Sequence, residues 1–108
     1  MTIAPREQWE ALYQQLRIEG RAFIDGEYRE SASTETFACI SPVDGRALGA
    51  IASCDAADAD LAVSAARRSF DSGVWAQQSP AQRKRVLIAF ADLLLANARE
   101  LALLETLD

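Results

Sequence analysis

No histidine occurs anywhere in the 108 residues. The commonest general base and metal ligand is therefore missing, and with it any Ser-His-Asp or Cys-His arrangement. Cysteine is nearly as scarce: Cys39 and Cys54 stand fifteen positions apart. Two thiols without histidine fall short of the four N/S ligands of a structural zinc site. Lacking a neighbouring base, both read as structural thiols rather than nucleophiles. The five glycines are Gly20, Gly26, Gly45, Gly49 and Gly73. Their spacing makes no GxGxxG, GxxxxGK[ST] or GxSxG signature, so no phosphate cradle or nucleophile elbow is encoded. No apolar run approaches the roughly 18 residues that suggest a bilayer span. Met1-Thr2-Ile3-Ala4-Pro5 leads into polar Arg6-Glu7-Gln8 rather than into a leader-type apolar stretch. Cytoplasmic residence with reduced thiols is the expectation.

Positive charge is also in short supply. Eleven Lys and Arg face sixteen Asp and Glu, a formal net charge of −5. That balance argues against nucleic acid and against an anionic membrane as partners. The one basic run, Arg83-Lys84-Arg85, has no interleaved aromatics and reads as a solvated helix face. The acidic trio Asp55, Asp58 and Asp60 reads as helix capping rather than as a cation site. Glu105 and Asp108, three apart, are placed to share one helix face.

Half of the chain is apolar, enough for one modest domain. A helix is expected over 6–19, with Pro5 in its first turn, Trp9, Leu12, Tyr13, Leu16 and Ile18 mostly on one face, and Gly20 as its stop. Two short β-prone runs flank Asp25-Gly26, a type I′ hairpin signal over 22–29, with Ile24 and Tyr28 as its packing residues. A second hairpin is expected over 36–53, its strands Thr36–Ile40 and Ala47–Ser53 joined by Ser41-Pro42-Val43-Asp44-Gly45 turn chemistry. Asp55 caps a helix over 55–72, with Ala56, Ala59, Ala62, Val63, Ala66 and Phe70 as its apolar stripe and Gly73 as its end. Ser79-Pro80-Ala81-Gln82 is a capping-box start for a helix over 79–96. Asn97 signals a further helix over 98–107. The chain reaches Asp108 while leucine content is still accumulating, which reads as an element cut off before its continuation. From the residues alone this is a mixed α and β segment with no catalytic constellation and no cofactor-binding motif.

Five blocks, in order, give the chain a resemblance to the N-terminal region of the NAD(P)-dependent aldehyde dehydrogenase superfamily. Phe23-Ile24-Asp25-Gly26-Glu27-Tyr28 is similar to that family's "FI(N/D)GE(W/Y)" hairpin. Thr36-Phe37 followed by Ser41-Pro42-Val43-Asp44-Gly45 resembles its "F…NP…G", with Ser41 in place of the usual Asn. Asp60 to Arg67, with Phe70 and Trp75, resembles a "D.AV.AAR.AF….W" helix. Ser79 to Arg83, running on to Ala91-Asp92-Leu93-Leu94, resembles an "R…L..LADL" helix. Glu100 to Asp108 resembles "ELA.LE(T/S)LD". The wording is nearest to enzymes acting on aminoaldehydes from polyamine breakdown, of the γ-glutamyl-γ-aminobutyraldehyde type.

The resemblance implies an α/β fold: the first helices and β-hairpins of a cofactor-binding domain, incomplete, which alone would look α+β. It implies an oxidoreductase that converts an aldehyde to a carboxylic acid through a cysteine thiohemiacetal, with NAD or NADP as cofactor. All the catalytic and cofactor-binding residues are expected beyond position 108, so the 108 residues alone are expected to be inactive. The implied partners are the remainder of the dehydrogenase chain and, in the complete enzyme, further copies in a dimer or tetramer. The family also implies a monovalent cation site for K+ or Na+. It maps here onto the backbone oxygen of Cys39 or Ile40 and the carboxylate of Asp108. A different reading is a free-standing helical interaction module that docks on or caps a full-length dehydrogenase, with Leu87, Phe90, Leu94 and Leu101 as its sticky face.

Overall fold

The computed structural model describes residues 5–108, so Met1 to Ala4, on which the leader-free start was read, lie outside the described residues. Helix α1 (Arg6–Gln15) is followed by strands β1 (Ala22–Ile24) and β2 (Glu27–Arg29), then β3 (Thr36–Ile40) and β4 (Ala47–Ala52). Helices α2 (Ala56–Asp71), α3 (Pro80–Ala96) and α4 (Ala98–Leu107) complete the chain. The strands form two separate antiparallel pairs, β1 with β2 and β3 with β4. No helix among the described residues is long and apolar enough to cross a membrane.

The first helix is shorter than its sequence suggests. It was expected over 6–19 but stops at Gln15, where Leu16 turns extended at φ −62°, ψ 132°. No side chain caps its start, and ten residues without a cap make a marginal helix. Gly20 is not its stop signal. The Gly20 carbonyl instead accepts a hydrogen bond from the Ala52 N–H at 2.7 Å. A Cβ at Gly20 would run into the Ala50 carbonyl oxygen. The chain leaves the helix early so that this segment can lie along β4.

The Asp25-Gly26 hairpin has φ of 57° and 80° at its two central residues, the positive pair a type I′ turn requires. Ile24 is buried, but Tyr28 is 53 % exposed and is not a core residue as expected. The register explains this, because Tyr28 faces Phe23 across the pair. Their rings meet at 5.0 Å on the outer side, and the Arg21 guanidinium lies 5.6 Å from the Tyr28 ring centre.

Helix α2 starts as its residues dictate. The Asp55 carboxylate accepts from the Ala57 and Asp58 N–H groups, and Asp58 returns a bond to the Asp55 N–H. Asp58, 2 % exposed, also accepts from the Ala32 N–H at 2.9 Å. One carboxylate therefore fastens the loop between β2 and β3 to the helix. The stripe expected on α2 is not its buried face: Val63 and Phe70 are exposed, while Ala65 is buried. The small alanine lets α2 approach β1, and an ion pair from Arg68 to Asp25 at 2.8 Å holds that side.

Helix α3 has the expected capping box between Ser79 and Gln82, with Pro80 in its first turn. None of its seventeen residues is buried. Among the described residues the buried apolar side chains are few: Ile24, Ala65, Leu103 and Leu107. The radius of gyration is 17.8 Å, where a compact chain of this length has about 13 Å. The chain exposes 8617 Å², against about 5,900 Å² for a compact monomer of its mass. The body is a slab measuring 47 × 40 × 18 Å, without a closed core.

Candidate functional site

The sequence placed its candidate site at Cys39, Ile40 and Asp108. The first two end β3, and Asp108 closes α4, where its N–H bonds the Leu104 carbonyl at 3.0 Å. Folding brings Cys39 and Asp108 together across 69 positions. The Cys39 thiol donates to the Asp108 Oδ1 at 3.1 Å. That hydrogen bond, joined by lost solvation and by the charge of the carboxylate, raises the Cys39 thiol above its ordinary range. A thiol held protonated is a donor, neither a nucleophile nor a cation ligand through sulfur.

Ile40 stands differently. It is 51 % exposed and pairs with Ala47, whereas Cys39 pairs with Gly49. Leu48 is therefore the extra residue of a β-bulge, which locally disrupts the ladder. Leu48, Ile18 and Leu101 line a cavity of about 350 Å³ that also borders Cys39, Glu105 and Asp108. The Glu105–Asp108 spacing thus puts both carboxylates beside one cavity. Among the described residues no group of three His, Cys, Asp or Glu side chains is close enough to hold a metal. The donor set suits a hard monovalent cation in one respect, the exposed carboxylate of Asp108, and the other oxygens would come from backbone.

The remaining candidates resolve into structure. Asp55 and Asp58 are used in capping, and Asp60 is exposed. Arg83-Lys84-Arg85 lies in the first turns of α3, and no ion pair engages it among the described residues. Cys54 is exposed and free. Sequence reading missed a groove under α1. There, beside Trp9 and Leu107, the Arg46 guanidinium lies 4.3 Å from the Tyr13 ring centre; on another side of α1, Arg99 lies 5.2 Å from the Trp9 ring centre. Arg99 also donates to the Gln8 side chain at 3.2 Å. These contacts join residues up to 91 positions apart, and no local pattern announces them.

A family model described as "Aldehyde dehydrogenase family" matches residues 28–108. The chain is 43 % identical over 103 residues to the aminoacetaldehyde dehydrogenase of Pseudomonas aeruginosa, covering 95 % of this chain and 21 % of that protein. Among solved structures, a P. syringae indole-3-acetaldehyde dehydrogenase in complex with NAD+ superposes with a TM-score of 0.92 at 62 % identity. The match covers 97 % of this chain and 21 % of that one. The γ-glutamyl-γ-aminobutyraldehyde dehydrogenase of Burkholderia cenocepacia superposes at 0.90 with 50 % identity, over 94 % and 20 % of the two chains. The chain spans about a fifth of the length of the curated relatives it matches.

Proposed function

Because the chain belongs to the aldehyde dehydrogenase family, we propose that it forms the N-terminal part of an enzyme that oxidises an aldehyde to a carboxylic acid with NAD(P)+. The superposition on an NAD+-bound dehydrogenase over 97 % of this chain carries the reading. The nucleophilic cysteine that forms the thiohemiacetal is neither Cys39 nor Cys54: the Cys39 thiol donates to the Asp108 carboxylate, and Cys54 has no histidine in these 108 residues to activate it. The cofactor supplies the hydride acceptor and is held elsewhere in the complete enzyme. The role of these 108 residues is to cover and brace that machinery, in a cytoplasmic dimer or tetramer.

The substrate class we assign is an aminoaldehyde of polyamine breakdown. Relatives named for aminoacetaldehyde and for γ-glutamyl-γ-aminobutyraldehyde support it. A relative named for indole-3-acetaldehyde matches this segment still better, so the segment itself does little to choose the aldehyde. We also assign K+ or Na+ to the Asp108 carboxylate and the backbone oxygen of Cys39 or Ile40, a bracing site rather than a catalytic one.

A chimera tests the activity. The first fifth of the P. aeruginosa aminoacetaldehyde dehydrogenase is replaced by this chain, and NADH formation is followed with an aminoaldehyde. We expect turnover by the chimera and none by the 108 residues alone. A chimera that folds and assembles like its parent yet is inactive would sink the assignment. Melting of the chimera in K+ against a bulky organic cation, with and without Asp108→Ala, tests the bracing ion. A K+ stabilisation that survives Asp108→Ala removes Asp108 from that site.

A further inference from the structure

Helix α1 is seated loosely. None of its ten residues is buried, and no side chain caps its start. Trp9, Leu12 and Tyr13 are half-buried and form its inner face. A cavity of about 860 Å³ lies between α1, the turn residues Val43 and Arg46, and Leu103 and Leu107 of α4. A second cavity, of about 270 Å³, borders Gln8, Leu12 and Arg99 on another side of the helix. Side chains that border a void forgo dispersion contacts, so apolar packing does little to hold α1 down. Two arginines from other elements hold it instead. Arg46, in the turn between β3 and β4, is steadied by Asp44 at 3.2 Å and lies 4.3 Å from the Tyr13 ring centre. Arg99, in the first turn of α4, lies 5.2 Å from the Trp9 ring centre and donates to the Gln8 side chain at 3.2 Å. Trp9 and Tyr13 stand four residues apart on one helix face, so the two pins tie one helix to two separate elements. The chain after α1 supplies a hinge. Leu16 is extended, and the backbone is anchored on β4 at Gly20, through the Ala52 N–H at 2.7 Å.

We propose that α1 is a strap. It lifts from α4 and from the β3–β4 turn as one unit, about Leu16 and Arg17, while the rest of the fold stays closed. Arg46 and Arg99 set how often it opens. Ten uncapped residues do not hold a helix alone in water, so lifting and melting are one local event. Opening exposes the face of α4 that carries Leu103 and Leu107, two of the four buried apolar residues among those described. Helix α2 is the contrast. Its start is locked by the Asp55–Asp58 capping box and by the bond from the Ala32 N–H to Asp58.

The test is hydrogen exchange by mass spectrometry on a complete dehydrogenase carrying this segment, the chimera above, comparing peptides from α1 and α2. NADH formation is not its readout, so the result is separate from the proposed activity. Amides of α1 are expected to exchange faster than those of α2. Arg46→Met and Arg99→Met should each speed α1 exchange about two- to fivefold, as loss of an exposed cation–π contact does. The double variant should reach about tenfold, with α2 unchanged. Arg46→Lys keeps a cation and should fall between. Arg67→Met, which removes a guanidinium 5.6 Å from the Phe70 ring on α2, should leave α1 unchanged. Both pins are exposed, so the variants keep the fold. Amides of α1 as slow as those of α2 overturn the proposal, since another part of the enzyme would then cover the helix. Equal acceleration of α1 and α2 overturns it too, because the opening would then be global. So does a double variant without effect on α1.

Discussion

Asp58 does more than its place in the sequence announces. In the sequence it reads as one of the acidic residues at a helix start, and in the structure it completes a capping box with Asp55. Its other oxygen takes the Ala32 N–H, 26 positions away, which no local pattern predicts. Asp58→Ala leaves the Ala32 and Asp55 donors without their partner in a site that is nearly closed to solvent. A loss of roughly 1–3 kcal/mol follows, a large part of the stability of so small a chain. The urea midpoint should fall accordingly, with Asp58→Asn intermediate because it keeps one acceptor oxygen. A variant as stable as the parent would show that the loop is held by something else. Glu19 teaches the same lesson about distance from the sequence. Read as the last residue of a helix, it is in fact beyond the helix, where Arg21 grips it through two side-chain bonds of 2.7 and 2.8 Å. Those bonds, with the Arg21 backbone N–H, hold its carboxyl at about 2. The folded value lies below the unfolded one, so any stability this pair gives is complete above the ordinary glutamate range and disappears as pH falls toward about 2. Its exposure to solvent keeps the contribution small. Carboxyl titration by NMR should find the Glu19 midpoint displaced downward and Arg21→Ala should return it to the ordinary range. An undisplaced midpoint would mean that the fork does not persist in solution.

At the level of elements, what was legible follows from local chemistry. Asp25-Gly26 specifies its turn because both positions need positive φ, and Ser79-Pro80-Ala81-Gln82 specifies a helix start because its donors are satisfied by its own side chains. The end of α1 was not legible. It is set by the Gly20–Ala52 bond and the closeness of Gly20 to Ala50, both tertiary. The stripe on α2 failed for a related reason: hydrophobic periodicity identifies an apolar face, but cannot say that its cover is absent. The candidate site was half legible, since Cys39 and Asp108 were named from the resemblance, while the thiol–carboxylate bond between them is a product of folding. Helix α3 turns this into a prediction. Because it buries nothing in this chain, Phe90→Ser should change the stability of the 108 residues by no more than about 0.5 kcal/mol, as a surface substitution does. In the chimera, where we expect the rest of the chain to enclose α3, the same change should cost about 3 kcal/mol or more, as loss of a buried aromatic does. Equal costs in both would mean that α3 is already packed in the chain alone.

For the whole molecule, the balance of terms is unfavourable. Ordering each residue costs on the order of 1–2 kcal/mol, and the return comes from apolar area removed from water. Among the described residues only Ile24, Ala65, Leu103 and Leu107 are buried apolar residues. The two hairpins and four helices are therefore held chiefly by their own hydrogen bonds and caps, with few contacts shared between them. Such a body unfolds piecemeal rather than as one unit, because cooperativity comes from a common core. The purified chain should melt broadly by circular dichroism and bind an apolar-surface dye strongly before any melting. Small-angle scattering should give a radius of gyration near 17.8 Å, larger than the roughly 13 Å of a compact monomer. The three readings stand or fall together. A sharp transition, little dye binding and a radius near the compact value would mean that the apolar faces of α2 and α3 have found cover within the chain, and the open slab would then not be its form in solution.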